Sequence, residues 1–136
     1  MTNATKLIAG LLLIAVTTIE YGGTFLLSIL SGRHAEFTEF QRSMFRAGHA
    51  HAGVLVILSL VALIFADQGS LSAPIGWAVR IGFPAAAILV SGGFFGAAMG
   101  KGRTQPGGLI GLLWIGVSVL GGSLITLGIG LIQARG

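Results

Sequence analysis

Four long apolar runs constrain this chain more than any other feature. They cover residues 7–30, 47–66, 75–99 and 109–132, and each reaches the roughly 18 residues that are typical of a transmembrane helix. Backbone N–H and C=O groups find no water in hydrocarbon, so such a run must be helical or close a barrel. Barrel strands alternate between apolar and polar residues, whereas these runs are continuous. The sequence therefore predicts an all-α integral membrane protein, an antiparallel four-helix transmembrane bundle forming one domain over residues 1–136.

The composition excludes several classes of protein and partner. Hydrophobic residues make up 54% of the 136 residues and charged residues only 9%, so the lipid bilayer is the expected partner. The absence of cysteine excludes disulfides and thiolate chemistry. The net charge of +4 does not predict nucleic-acid binding, because the basic residues lie at the ends of the runs, where anionic headgroups attract them.

The distribution of basic residues predicts an orientation in a plasma or inner membrane. Five of them lie in the first and third loop regions: Arg33, Arg42, Arg46, Lys101 and Arg103. Three lie towards the opposite side: Lys6, Arg80 and Arg135. Because basic residues are enriched on the cytoplasmic side of a membrane, we expect the first and third loops in the cytoplasm and both termini outside.

The first loop contains signals of helical structure. Thr38 is followed three residues later by Gln41, which is the spacing of a capping box. Apolar residues recur nearby at helical intervals. We predict an interfacial amphipathic helix over residues 36–46 that continues into the second span. The alternative is a solvated loop anchored by phenylalanines.

Glu20 lies near the middle of the first apolar run. A charge at bilayer depth costs about 2.5–3.5 kcal/mol or more, so such residues are usually paired and functional. We expect Glu20 to bind a proton, an ion or a ligand. The alternative is a structural role, in which hydrogen bonds satisfy its carboxylate. Hydroxyl residues align with Glu20 at three- and four-residue steps along the first helix: Thr17, Thr24, Ser28 and Ser31. Ser91 in the third run and Ser118 in the fourth run are expected at comparable depth.

Two histidines, His49 and His51, begin the second apolar run. At about 100° per residue they point roughly 160° apart, so they serve different neighbours. That spacing is poor for chelating one ion, because helical ligand pairs use three- or four-residue steps. The pair can serve two centres, or one centre together with Glu20. We predict that Glu20 and His51 form one functional unit in the same membrane layer, with haem or a divalent metal as the candidate cofactor. The alternative is that His49 and His51 are packing or interfacial residues whose hydrogen bonds are satisfied.

The segment RAGHAHAG, residues 46–53, resembles the H-x-H helices of haem–copper oxidases and nitric oxide reductases. In that family paired histidines ligate two haems from opposite faces of one helix. The resemblance implies haem ligation by His49 or His51. It is local, and the chain has only one further histidine, His34.

Two other resemblances concern larger features. The length, the four spans and the segment EFQRSMFRAGHAHAG are similar to the trimeric membrane-associated eicosanoid and glutathione metabolism family. This implies a conjugating site near Arg42 and Arg46, although Ala50 and Gly53 replace the Asn and Glu of the family's motif. A lone glutamate in the first of four spans resembles small multidrug-resistance transporters, which implies proton-coupled transport through Glu20.

Three function classes follow: a haem- or metal-binding membrane protein with a redox-linked role, a proton-coupled transporter, and a conjugating membrane enzyme. In all three we expect a homo-oligomer, a dimer or trimer, because one 136-residue bundle supplies few site residues. Small residues at four-residue steps let helices approach closely. Two such rows are predicted to pack the bundle or join copies: Gly92, Gly96 and Gly100, and Ser118, Gly122, Thr126 and Gly130.

Overall fold

The computed structural model describes residues 1–34 and 36–135, and within those ranges the chain is all-α, with no β-strand. Four helices are present: α1 (Asn3–Leu30), α2 (Glu39–Ala66), α3 (Ala73–Ala98) and α4 (Ile110–Gln133). Each is long and apolar enough to cross a membrane. The predicted all-α class with four membrane-length helices is confirmed.

The starts of α1 and α2 follow from local capping rather than from hydrophobicity alone. Helix α1 begins at Asn3, before the first apolar run, because the Thr2 hydroxyl accepts a hydrogen bond from the Thr5 amide. Helix α2 begins at Glu39, where the predicted capping box between Thr38 and Gln41 is confirmed. The segment predicted as an interfacial helix is therefore continuous with the second span from Glu39 onward.

The helices differ in how much of their surface the fold covers. Helix α3 lies between α2 and α4 and packs extensively against both, whereas α1 packs mainly against α2. In the most apolar stretch of each helix, 56% of the residues are buried in α3 but only 11% in α1. The core lies around α3, with Phe83 and Val90 among its buried side chains. Almost all of α1 beyond its contact with α2 therefore faces outward.

Glycines set the close approach of α3 and α4. A Cβ added to Gly93 would lie 2.5 Å from the backbone nitrogen of Leu113, and one added to Gly116 would lie 2.8 Å from that of Val90. Such distances are below any normal contact, so only glycine permits this spacing. Neither residue belongs to the predicted small-residue rows.

The two predicted rows divide between packing and open space. Gly96 packs against Leu109, and Gly130 packs against Leu71. A Cβ on Gly92 or Gly122 would meet nothing within 4 Å. Neither row therefore forms one continuous contact inside the bundle.

Candidate functional site

The histidine segment of α2 is held in place by hydrogen bonds at the start of that helix. The Gln41 amide nitrogen donates to the carbonyl oxygens of Ala98 at 2.8 Å and Gly100 at 2.7 Å. The Thr38 hydroxyl donates to the Arg103 carbonyl. Gln41 is almost completely buried, so its two bonds are largely shielded from solvent, whereas the Thr38 bond is exposed. They fix the rotation of α2 relative to the end of α3, and with it the directions of His49 and His51.

His49 faces α1 and is partly buried. A Cβ built on Gly23 would lie 3.1 Å from Cε1 and 3.2 Å from Nε2 of His49, so the ring occupies the space that a larger residue would fill. Beside the ring is an almost entirely apolar cavity of about 170 Å³. The other lining residues are Gly22, Phe25, Leu26, Ile29, Phe45 and Phe95. His49 makes no hydrogen bond within residues 1–34 and 36–135.

His51 points to a different neighbour, as the helical pitch predicts. Its ring packs against Phe94 of α3, with 4.8 Å between the ring centroids. Its Nδ1 lies 2.8 Å from the Ala47 carbonyl oxygen. A carbonyl only accepts, so this geometry assigns the proton to Nδ1. In the neutral ring, Nε2 then carries a free lone pair, and the residue is exposed on the surface of the bundle.

Glu20 lies on the exposed side of α1. In the described part of the chain it makes no side-chain hydrogen bond and no ion pair, and none joins it to His49 or His51. The hydroxyls of Thr17 and Thr24 donate to carbonyl oxygens one turn back in α1, each at 2.7 Å. The functional unit of Glu20 and His51 stays a prediction, since no direct contact forms it within one chain.

The predicted serines lie apart from Glu20 as well. The exposed Ser118 donates to the carbonyl of Trp114 at 3.0 Å. Ser91 is buried, and its hydroxyl has no partner among the described residues. It lines a cavity of about 200 Å³ between α1, α2 and α3. Neither hydroxyl bonds to a histidine.

The two loop-side arginines have different surroundings. Arg46 is exposed and lies 3.7 Å from the Glu39 carboxylate. Arg42 is partly buried, and its Nε has no hydrogen-bond partner in the described chain. Neither lines the cavity beside His49 or the one beside Gln41.

A cluster around Asp67 was not predicted. The Asp67 carboxylate accepts from Arg80 Nη2, from the Thr5 hydroxyl and from the Thr2 amide, each at 2.7 Å. The side chains of Asp67 and Arg80 are only 10% and 13% exposed. Burial by itself raises the pKa of the Asp67 carboxyl, but hydrogen bonds from Arg80, Thr5 and Thr2 outweigh it and hold that pKa well below its usual range. The signal was present in the sequence: Asp67 is the only aspartate and directly follows an apolar run.

A row of aromatic rings was also not predicted. It runs from Phe25 to His34, Phe37, Phe45 and Phe95, with successive ring centroids 5.3–6.0 Å apart. Aromatic pairs at this separation attract one another beyond the effect of their burial. The row joins α1, the first loop, α2 and α3, and it covers the His49 cavity on the loop side.

Side chains able to hold a metal ion do not gather in the described part of the chain. No group of three or more His, Asp or Glu side chains able to hold a metal ion occurs in residues 1–34 and 36–135. A bare divalent ion usually takes three or four protein ligands, whereas haem brings its own nitrogens and takes an axial histidine. His51 has the free Nε2 that such a ligand requires. Compared with known protein families, curated proteins and solved structures, the chain matches none.

Proposed function

We propose that this chain is an integral membrane protein whose helices cross the bilayer as an antiparallel bundle, and that His51 binds haem for a redox-linked role. Helices of 24 to 28 residues extend about 36–42 Å, which exceeds the roughly 30 Å hydrocarbon core. Large apolar side chains such as Ile14 and Ile88 remain 69% and 73% exposed. Lipid is the environment that suits such a surface.

Contacts between helix ends support the antiparallel arrangement. Thr5 at the start of α1 bonds to Asp67, which directly follows α2. Gln41 near the start of α2 bonds to Ala98, the last residue of α3. Ser70 before α3 bonds to Gly130 near the end of α4. In each case the beginning of one helix or its preceding link meets the end of another.

The orientation is tested by labelling single cysteines, for which the cysteine-free chain is already suited. Thr2→Cys and Arg135→Cys should react with an impermeant thiol reagent in intact cells, and Arg33→Cys only after permeabilisation. Labelling of Thr2→Cys and Arg135→Cys from opposite sides would contradict the bundle. Labelling of Arg33→Cys in intact cells would reverse its proposed orientation.

The single observation that carries haem binding is the hydrogen bond from His51 Nδ1 to the Ala47 carbonyl. Ligating histidines almost always donate their other ring N–H to a carbonyl, carboxylate or water, which fixes the tautomer and the ring direction. The Phe94 ring packed against the imidazole restricts its rotation further. His51 would hold the iron through Nε2, and the haem would supply electron transfer.

His49 is the weaker candidate for the ligand. Its cavity of about 170 Å³ is smaller than the roughly 300–1,000 Å³ of ordinary cofactor clefts. A porphyrin would have to displace the aromatic residues that enclose it. The exposed surface beside His51 needs no such displacement.

The experiment is the absorption spectrum of protein purified after expression with added haem precursor. Wild type and the matched variant His49→Ala should show a Soret band, and His51→Ala should lose it. Each variant's circular dichroism and elution volume should match wild type, which excludes misfolding as the cause. No band in the wild type, or an undiminished band in His51→Ala, would overturn the proposal.

A further inference from the structure

One face of α1 carries a seven-residue repeat that the fold leaves uncovered. Small residues stand seven apart, and Leu or Glu stands three residues after each of the first three. We call this face the α1 seam; its residues are Gly10, Leu13, Thr17, Glu20, Thr24, Leu27 and, directly after the end of the helix, Ser31. All but Gly10 are exposed, and a Cβ on Gly10 would meet nothing within 4 Å.

The residues that pack α1 onto the rest of the bundle lie on another face. Leu12 belongs to the buried core, and Gly23 contacts His49. The centre of the seam lies about 100° round α1 from these two residues, and the exposure of its side chains shows that no described part of the same chain covers it. Leu13 and Leu27 are 59% and 64% exposed.

Lipid is a poor neighbour for this seam because Glu20 lies within it. Acyl chains offer no hydrogen bond, and a carboxylate facing them is costly. The flanking hydroxyls of Thr17 and Thr24 already donate to their own helix, at 2.7 Å each, so only their acceptor oxygens remain available. Glu20 therefore needs a polar group from outside its own chain.

The repeat itself indicates what that neighbour is. Apolar or small residues with a strict seven-residue period form the contact of two helices that wind around each other with a left-handed twist. Small side chains at every repeat let two membrane helices approach closely. The seam therefore fits another membrane helix along its whole length.

We propose that the α1 seam is the contact between two copies of this chain, packed in parallel about a two-fold axis. Two copies share one orientation and one depth, so each seam position meets its own counterpart, and Glu20 meets Glu20. One carboxyl in its acid form then donates a hydrogen bond to the other. Arg80 of a second copy is not available as the partner, because it is already bound to Asp67 at 2.7 Å.

This inference goes beyond haem binding and does not depend on it. It also differs from the sequence prediction, which placed the contact between copies on the glycine rows of α3 or α4. Those rows are partly used inside the bundle, whereas the α1 seam is not.

The test uses single cysteines in a chain that has none of its own. Thr17→Cys and Thr24→Cys should form disulfide-linked dimers when membranes are oxidised. Thr18→Cys is the matched control: Thr18 is exposed, adjacent to Thr17, and also donates to a carbonyl one turn back, at 2.6 Å. It lies about 100° further round α1 and should give little dimer. Equal dimer from Thr18→Cys, no dimer from any variant, or linkage to a different protein only, would overturn the proposal.

A second experiment asks whether Glu20 strengthens the contact. An interhelical hydrogen bond in a membrane contributes about 1–2 kcal/mol, which is roughly a five- to thirtyfold change in association. Glu20→Ala should weaken dimerisation of the otherwise unchanged chain by that factor in quantitative dilution measurements, while Glu20→Gln should retain it. Equal weakening by both substitutions, or by neither, would show that no carboxyl contact exists. The Soret band of both variants should be unchanged, which separates this result from the haem proposal.

Discussion

The two acidic residues beside or within the apolar runs, Asp67 and Glu20, have opposite surroundings. Asp67 accepts hydrogen bonds from Arg80, Thr5 and Thr2 at one end of the bundle and is 10% exposed. Glu20 lies on the outer face of α1 with no hydrogen-bond or ion-pair partner in the described chain. Hydrogen bonds of Asp67 link three helices, whereas Glu20 links none within one chain.

The two surroundings have different consequences for stability and binding. A charge whose bonds are completed inside the chain stabilises the fold, because removing any partner leaves the others unsatisfied. A charge at membrane depth without such bonds is costly unless a polar group of another molecule binds it. The Asp67 cluster therefore stabilises the fold, whereas the Glu20 and His51 surfaces are where we propose that a second copy or a cofactor binds.

The largest expected effect is from Arg80→Ala. This substitution removes the closest cation from the shielded Asp67 carboxylate, which typically costs about 3–5 kcal/mol for a buried pair. We expect the lower end, since the cluster lies at an end of the bundle. Unfolding in mixed detergent micelles measures the loss. As a control, Arg46→Ala breaks the exposed pair with Glu39, 3.7 Å apart, and should change stability by less than about 1 kcal/mol.

The next largest effect is from Gly93→Ala, which tests the packing of α3 against α4. The added methyl would lie 2.5 Å from the backbone nitrogen of Leu113, so the helices must separate, at a cost of about 1–3 kcal/mol. The matched control is the adjacent Gly92→Ala, whose methyl meets nothing within 4 Å. It should be neutral or slightly stabilising in the same unfolding assay. Equal losses from both would show that α3 and α4 are not closely packed.

Lowering the pH should protonate Asp67 and so reduce the free energy of unfolding, by less than the preceding substitutions do. Because its pKa is lower in the folded state, its contribution is fully present above the unfolded pKa of about 4 and declines as the pH falls towards the lower folded value. Protonation keeps some of the hydrogen bonds, so the effect is smaller than that of Arg80→Ala. Unfolding measured from pH 6 down to pH 3 should show this decline in the wild type, and Asp67→Asn should reduce it. An unchanged pH profile in Asp67→Asn would assign the decline to other groups.

The smallest effect concerns the His49 surface. Gly22→Ala should stabilise α1 by about 0.5–1 kcal/mol, because alanine favours a helix interior. Its methyl would lie 4.0 Å from the His49 ring. In Gly23→Ala the corresponding distances are 3.1 and 3.2 Å, so the ring must shift and most of that gain is lost. Equal gains from both variants in thermal unfolding would show that His49 does not rest on Gly23.

The four helices and the divergence of the histidines were predictable because they depend on short stretches of chain. An apolar run long enough to cross a bilayer must satisfy its own backbone hydrogen bonds, and a helix does so locally. The same holds for the capping box, which involves residues only three apart. The pitch of α2 alone sends His49 and His51 to different neighbours.

Which side of each helix faces its neighbours was decided only by the tertiary structure. Outward- and inward-facing residues of these helices are both largely apolar, since lipid is as apolar as leucine, so polarity alone does not distinguish the two sides. The sequence therefore could not tell that Glu20 faces outward, or that Gly93 rather than Gly92 meets α4. The pairing of Asp67 with Thr5 and Arg80 likewise joins residues 62 and 13 positions apart. Such pairings depend on how the ends of separate helices meet, which local sequence does not specify.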